Sequence, residues 1–283
     1  TTGWAVGNGG TIMRTTDGGA TWSGSNPVSA DLQAVAFVDA SSGSSGSGRS
    51  ISKMSTDYSG GIVGGDGNIL ASEDSGGTWT RQNGIIDSDT IWETSKSPYV
   101  VTGTVLVSEG VKLMVEAGVE VKFASGTGLQ IFGELVAQGA LSSKISFTSV
   151  QDNKTAGDWG QIYFYDSSVD ASFDGNGDYA SGSILEYCTV EYGSGVVFKK
   201  SFPFVNLSTI QNNSDTGLKQ TDWDWSGADN NKNLKITNNI ITNNKTDGDG
   251  GGISLYWWGS NDAIVKGNTI SNNIAEHGGG IRS

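Results

Sequence analysis

The sequence predicts an all-β chain, most of it a parallel β-helix, and three observations carry that expectation. Gly is abundant at 43 residues and Pro rare at 3, while 9 Trp, 8 Tyr and 9 Phe supply the apolar side chains of a packed core. From residue 91 onward, short strand-like runs recur between Gly or Asn turns, with no amphipathic helix between them. Finally, Thr209-Ile210-Gln211-Asn212-Asn213, Ile240-Ile241-Thr242-Asn243-Asn244 and Thr269-Ile270-Ser271-Asn272-Asn273 recur at spacings of 31 (209 to 240) and 29 (240 to 269). Such recurrence marks a solenoid, in which each coil buries the apolar face of the one before.

Residues 1–90 read as a separate region of hairpin repeats. Two stretches align at a constant offset of 57. Gly7-Asn8-Gly9-Gly10-Thr11-Ile12 lies over Gly64-Gly65-Asp66-Gly67-Asn68-Ile69. Thr15-Thr16-Asp17-Gly18-Gly19-Ala20-Thr21-Trp22 lies over Ser72-Glu73-Asp74-Ser75-Gly76-Gly77-Thr78-Trp79, both of the form Ser/Thr-x-Asp-x-Gly-x-Thr-Trp. An Asp at such a turn accepts bonds from nearby backbone N–H groups, the glycines supply positive φ, and the Trp packs beneath the turn. The pattern resembles the Asp-box, the hairpin repeat of sialidase-type β-propellers, which implies a structural role for Asp17, Trp22, Asp74 and Trp79. Sialidase chemistry is not expected, because Arg14, Arg49 and Arg81 stand in no recognisable triad. A closed propeller takes roughly four to eight blades and this region holds material for about two. The Ser/Gly-rich stretch at 41–50 reads as a flexible loop.

In residues 91–283 the strands come three to a coil, as a triangular solenoid needs. Thr104–Val107, Lys112–Val115, Val119–Phe123, Leu129–Phe132, Glu134–Ala137 and Lys144–Thr148 are the first of them. Carrying the Asn register backwards stacks Leu185, Val205, Ile236 and Val265 in one column. A second column holds Val190, Ile210, Ile241 and Ile270, and a third Cys188, Ser208, Asn239 and Asn268. Val115-Glu116-Ala117-Gly118-Val119-Glu120-Val121-Lys122-Phe123, Gly157-Asp158-Trp159-Gly160-Gln161-Ile162 and Ser183-Ile184-Leu185-Glu186-Tyr187-Cys188-Thr189-Val190-Glu191-Tyr192 resemble bacterial extracellular members of the pectate-lyase-like superfamily. The resemblance implies a right-handed parallel β-helix. It does not select among the lyases, hydrolases, epimerases, adhesins and viral spikes that share the fold. The chain reads as a piece of a longer protein, with the β-helix truncated at its C-terminal end.

Several residues invite a chemical reading. The Asn pairs at 212–213, 243–244 and 272–273 fit an internal ladder of side-chain amides better than a ligand site. Cys188 reads as a small buried residue. Asp174-Gly175-Asn176-Gly177-Asp178 spaces three oxygen-bearing side chains two apart, like the start of a calcium loop, but the pattern then fails at its twelfth position, Leu185. Calcium is the one cofactor these acidic loops suggest, through Asp174, Asn176 and Asp178. Glu276-His277-Gly278-Gly279-Gly280-Ile281-Arg282 echoes polygalacturonase elements, but run together on one coil, so no catalytic residue is assigned from it.

The strands after Gly195, Gly217, Gly252 and Gly280 carry the surface of most interest. In register, Val196, Leu218, Ile253 and Ile281 point inward. Lys199, Thr221 and Tyr256 form one outward column, and Val197, Lys219, Ser254 and Arg282 another. Asp222, Trp223, Asp224, Trp225, Trp257 and Trp258 fall beside them. Aromatic faces bordered by carboxylates and lysines suit sugar rings, through stacking plus hydrogen bonds.

Acidic residues outnumber basic ones by 30 to 17, for a net charge of −13, which disfavours nucleic acid and anionic lipid as partners. No apolar run reaches the ~20 residues of a membrane helix. One Cys and one His leave no disulfide framework and little scope for a metal or His-centred catalytic set. These features point to a secreted or cell-surface, adhesin-like scaffold that binds polysaccharide or cell-surface glycan. The alternatives are a lyase or glycoside hydrolase acting on acidic polysaccharide, and a structural stalk or filament component. Self-association through the solenoid ends is a further expectation, since uncapped ends expose strand edges.

Overall fold

The computed structural model describes residues 3–6, 12–15, 20–25, 32–36, 60–64, 69–72, 80–221, 234–255 and 263–283. Two compact units are present, Thr1–Thr78 and Trp79–Ser283. In the first, Gly3–Val6, Ile12–Thr15 and Ser23–Ser25 form one antiparallel sheet. Leu32–Ala36, Gly60–Gly64 and Ile69–Ser72 form another. The strands Gly3–Val6 and Ile12–Thr15 recur as Gly60–Gly64 and Ile69–Ser72 at the offset of 57 seen in the sequence. Asp17, Asp74 and Trp79 lie outside the described residues. Trp22 is described and is 43 % exposed.

The second unit starts at Trp79, ahead of the boundary expected at residue 91. The cause is Thr80–Ile86, which pairs in parallel along almost the whole of Tyr99–Val107. Thr80–Ile86 caps the start, pairing with both halves of Tyr99–Val107, and from Thr90 onward the described residues wind into a parallel β-helix of three walls and seven coils. The first wall stacks Thr90–Trp92, Lys112–Val115, Glu134–Gln138, Ile184–Glu186, Phe204–Asn206, Lys235–Thr237 and Ile264–Lys266. The second stacks the first half of Tyr99–Val107, then Glu120–Phe123, Ile145–Ser149, Cys188–Glu191, Thr209–Gln211, Ile240–Thr242 and Thr269–Ser271. The third stacks the second half of Tyr99–Val107, then Leu129–Ile131, Ile162–Phe164, Val196–Lys199, Leu218–Thr221, Ile253–Ser254 and Ile281–Arg282.

Alternation along each strand sends every second side chain inward, so each wall lines the interior with a column. Trp92, Val115, Ala137, Leu185, Val205, Ile236 and Val265 line the first wall. Tyr99, Val121, Phe147, Val190, Ile210, Ile241 and Ile270 line the second. Val105, Leu129, Ile162, Val196, Leu218, Ile253 and Ile281 line the third. Aromatic rings fill the interior of the early coils: Trp92 stacks on Tyr99 with centroids 5.0 Å apart, and Trp159 on Phe123 at 4.1 Å.

The corners are held differently in the later coils. Asn213 Nδ2 donates to Asn244 Oδ1 at 2.8 Å, and Asn244 Nδ2 donates to Asn273 Oδ1 at 3.0 Å. The same oxygens accept the backbone N–H groups of Asn213 and Asn244. A second ladder at the other end of the second wall runs from Ser208 through Asn239 to Asn268. The Asn pairs therefore divide the labour. Asn213, Asn244 and Asn273 carry the ladder, while Asn212, Asn243 and Asn272 take positive φ and turn the chain, as Asn does more readily than other non-Gly residues. Gly217 and Gly252 flank this ladder, and a Cβ at either would lie 2.9 Å from a ladder amide, at Asn244 or Asn273.

Candidate functional site

The outer face of the third wall is where register brings rings and cations together. Pairing aligns Gln130 with Tyr163, Tyr163 with Val197, and Val197 with Lys219. Two residues further along the strand, Lys199 aligns with Thr221. Phe132 and Tyr165 follow their strands directly and stack at 4.0 Å with planes 10° apart; Tyr163 leans on Tyr165 at 4.5 Å. All three rings are half-buried. Among the described residues neither tyrosine hydroxyl has a hydrogen-bond partner. The result is an aromatic group on coils two and three, with lysines on coils four and five.

Of the glycan-contacting residues expected from sequence, the structure describes Lys199 and Lys219, on neighbouring strands of this face. Asp222, Trp223, Asp224, Trp225, Tyr256, Trp257 and Trp258 lie outside the described residues. The column Val197, Lys219, Ser254 and Arg282 has the register expected of it. It is not an open surface throughout, because Val197 and Ser254 are only 4 % and 6 % exposed. Phe132, Tyr163 and Tyr165 were not singled out from sequence. Gly precedes the inward residue in Gly195-Val196, Gly217-Leu218, Gly252-Ile253 and Gly280-Ile281, and that signal also marks Gly128-Leu129 and hence Phe132. Coil three breaks it with Gln161, which hides Tyr163 and Tyr165.

A polar edge borders this face. Asp215 Oδ1 accepts from the Thr216 N–H and the Thr246 hydroxyl, each at 2.7 Å, and Lys219 Nζ lies 3.4 Å from Oδ2. Partial burial works to raise the Asp215 carboxyl, but these donors outweigh it and hold the group below the usual aspartate range. On the last coils, His277 Nδ1 lies 3.1 Å from Asp249 Oδ1, and Arg282 binds the same carboxylate. The His and Arg that echoed polygalacturonase elements thus share one carboxylate partner.

The other candidates make the following contacts. Asp174 Oδ1 accepts the backbone N–H groups of Asn176 at 2.9 Å and Asp178 at 3.0 Å, locking the tip of the hairpin Ser172–Phe173 and Tyr179–Ser181. That hairpin lays Phe173 and Tyr179 over Val136, Ile184 and Phe204 on the outside of the first wall. Lys235 Nζ sits 3.5 Å above the Phe173 ring, and burial pushes the Tyr179 hydroxyl up to about 12. Among the described residues no group of three or more His, Cys, Asp or Glu side chains that could hold a metal ion is present. Cys188 is fully buried, and burial raises its thiol far from the thiolate form a nucleophile needs. No helix among the described residues is long and apolar enough to cross a membrane.

Residues 84–219 match the family model of the pectate-lyase like beta helix domain, a stretch that holds Phe132, Tyr163, Tyr165, Lys199 and Lys219. Protein bark beetle of Drosophila melanogaster is 41 % identical over 68 residues. That alignment covers 24 % of this chain and 2 % of the fly protein, so the chain spans a small part of the relative it matches. No solved structure matches the chain.

Proposed function

We propose that the chain is an extracellular or cell-surface scaffold, a right-handed β-helix behind propeller-type Asp-box repeats, that binds polysaccharide over the outer face of its third wall. One observation carries the reading: Phe132, Tyr163 and Tyr165 stand half-buried on the same flat face as Lys199 and Lys219. Sugars present an apolar ring face and a rim of hydroxyls, which such rings and hydrogen-bonding groups complement. The match of residues 84–219 to a pectate-lyase like beta helix domain fits polysaccharide-related function in general. In sequence, Asp222, Trp223, Asp224 and Trp225 follow directly on Leu218–Thr221, and Tyr256, Trp257 and Trp258 follow on Ile253–Leu255. Binding is preferred to catalysis because the charged groups of the polar edge are engaged with one another, Asp215 with Lys219 and Asp249 with His277 and Arg282.

The test is incubation of the 283-residue chain with neutral and acidic polysaccharides, with and without calcium, scoring retained protein and new chain ends. Retention without new ends, lost in Trp257→Ala/Trp258→Ala, is the expected result. New ends that vanish on replacing Lys199 or Lys219 would make the protein a lyase or hydrolase. Neither retention nor cleavage would leave a structural stalk.

A further inference from the structure

Resting on the glycan-binding reading, we infer that the ligand is a mixed polymer, with neutral and anionic sugar units in the same chain, laid along the solenoid axis. The rings and the cations of the third wall are not interleaved. Going down the axis, the outward positions read Gln130 and Phe132, then Tyr163 and Tyr165, then Val197 and Lys199, then Lys219 and Thr221. Coils rise by about 4.8 Å each, so the aromatic group and the lysines are centred roughly 10 Å apart. A single sugar spans about one strand spacing and can bridge Tyr165 and Lys199 at the boundary, but not the centres of both groups. The strands of this wall are three or four residues wide, so a polymer crossing them would meet only rings or only lysines. A chain following the axis meets both in turn.

The chemistry at each end sets what each sugar must carry. Ring faces are electron-rich, and an anion pressed onto Phe132 or Tyr163 loses its hydration with no cation among the outward third-wall residues of coils two and three, Gln130, Phe132, Tyr163 and Tyr165, to replace it. A neutral sugar with an open face suits that end, and the tyrosine hydroxyls meet its hydroxyls. At the other end Lys219 is 36 % exposed on its side chain. Its ammonium holds three donors, of which Asp215 engages one through a long 3.4 Å contact. A carboxylate or sulfate there gains an ion pair that a neutral sugar cannot make. A polyuronate charged on every unit therefore mismatches the aromatic end, and a neutral polymer mismatches the lysine end.

The experiment compares binding of the 283-residue chain to four probes by calorimetry at low salt. They are a neutral cello-oligosaccharide, polygalacturonate, hyaluronan (alternating uronate and neutral sugar), and a keratan sulfate in which sulfated N-acetylglucosamine alternates with neutral galactose. Hyaluronan, the sulfated polymer or both are expected to bind at least about tenfold tighter than either uniform chain. Their relative strength tells carboxylate from sulfate. Tyr163→Ala should cost about tenfold. Lys219→Gln should cost less, by an amount that shrinks as salt rises. Tyr165→Phe, which keeps the stack on Phe132, controls for packing, and unchanged thermal unfolding controls for folding. Polygalacturonate bound as tightly and indifferent to Tyr163→Ala, or a neutral chain bound as tightly and indifferent to Lys219→Gln, overturns the inference while the glycan-binding reading stands. No binding to any probe, nor to the wider panel above, overturns that reading itself.

Discussion

One corner of the solenoid, between the second and third walls, is built in two ways along its length. On coil three the 150–161 loop drives Trp159 inward, where it stacks on Phe123 at 4.1 Å and its Nε1 donates to the Glu191 carbonyl at 2.9 Å. On coils five to seven the same corner is held by the neutral amides of Asn213, Asn244 and Asn273. Gly193, on coil four, stands at the changeover. Its N–H donates to Asn213 Oδ1 at 3.0 Å, and a Cβ there would lie 2.5 Å from the Trp159 indole. Both devices solve one problem, that of burying a bend without orphaning its backbone groups. The aromatic plug does so by filling volume, and the ladder by lending each coil's side chain to its neighbour's backbone. The first is a local solution that can occur once; the second must repeat.

Two substitutions separate the devices. Trp159→Ala is expected to have the largest effect, about 3–5 kcal/mol, because it leaves an indole-sized cavity against Phe123. Chemical unfolding should show it, and a loss below about 1 kcal/mol would mean that the corner repacks and the plug is dispensable. Asn244→Ala should cost somewhat less, about 2–4 kcal/mol. It removes no comparable volume, but it strips partners from the Asn213 N–H, the Asn213 amide and the Ile210 carbonyl together. Hydrogen exchange distinguishes the two readings of that loss. The amides of Asn213 and Asn244 should lose protection together if the ladder acts as a chain, whereas loss at one site alone would reduce it to separate bonds.

The same contrast explains what the sequence made legible. The repeating device leaves a periodic trace, so the columns through Leu185, Val190 and Cys188 and the inward set Val196, Leu218, Ile253 and Ile281 could be laid out from spacing alone. The plug leaves none. Trp159 sits in a loop whose length no other coil shares, and nothing local says that it turns inward. The seam was hidden for a related reason. By the 57-residue offset, Thr80–Ile86 repeats Ser23–Ser25, which pairs antiparallel with Ile12–Thr15, yet Thr80–Ile86 pairs in parallel with Tyr99–Val107. Strand composition does not encode which neighbour a strand will choose, because either ladder satisfies its backbone. At the candidate site, Lys199 and Lys219 were visible through their glycines, and Tyr163 and Tyr165 were not, because Gln161 stands where coils two and four to seven have Gly.

The smallest expected effect tests whether the late corner is as neutral as its amides. Asp215, two residues beyond Asn213, is the titrating group beside the ladder, tied by Thr216 and Thr246 and paired with Lys219. Burial opposes its charged form, the donors prevail, and the folded-state pKa lies below the ordinary aspartate value. A depressed carboxylate contributes stability that is fully present above its unfolded pKa, about 3.9, and is lost as pH falls through the lower folded value. The stability difference between the natural chain and Asp215→Asn should therefore be flat from neutral pH to about pH 5 and shrink below about pH 4. Asn244→Ala should show no such bend, since amides do not titrate. Asp158, beside Trp159, is also held below its ordinary value, by the Thr155 hydroxyl and N–H against the opposing effect of burial, so Asp158→Asn should bend in the same sense. If Asp215→Asn tracked the natural chain in parallel down to pH 2, the carboxylate would contribute nothing by its charge. The late corner would then rest on the amide ladder and the Thr246 hydroxyl alone.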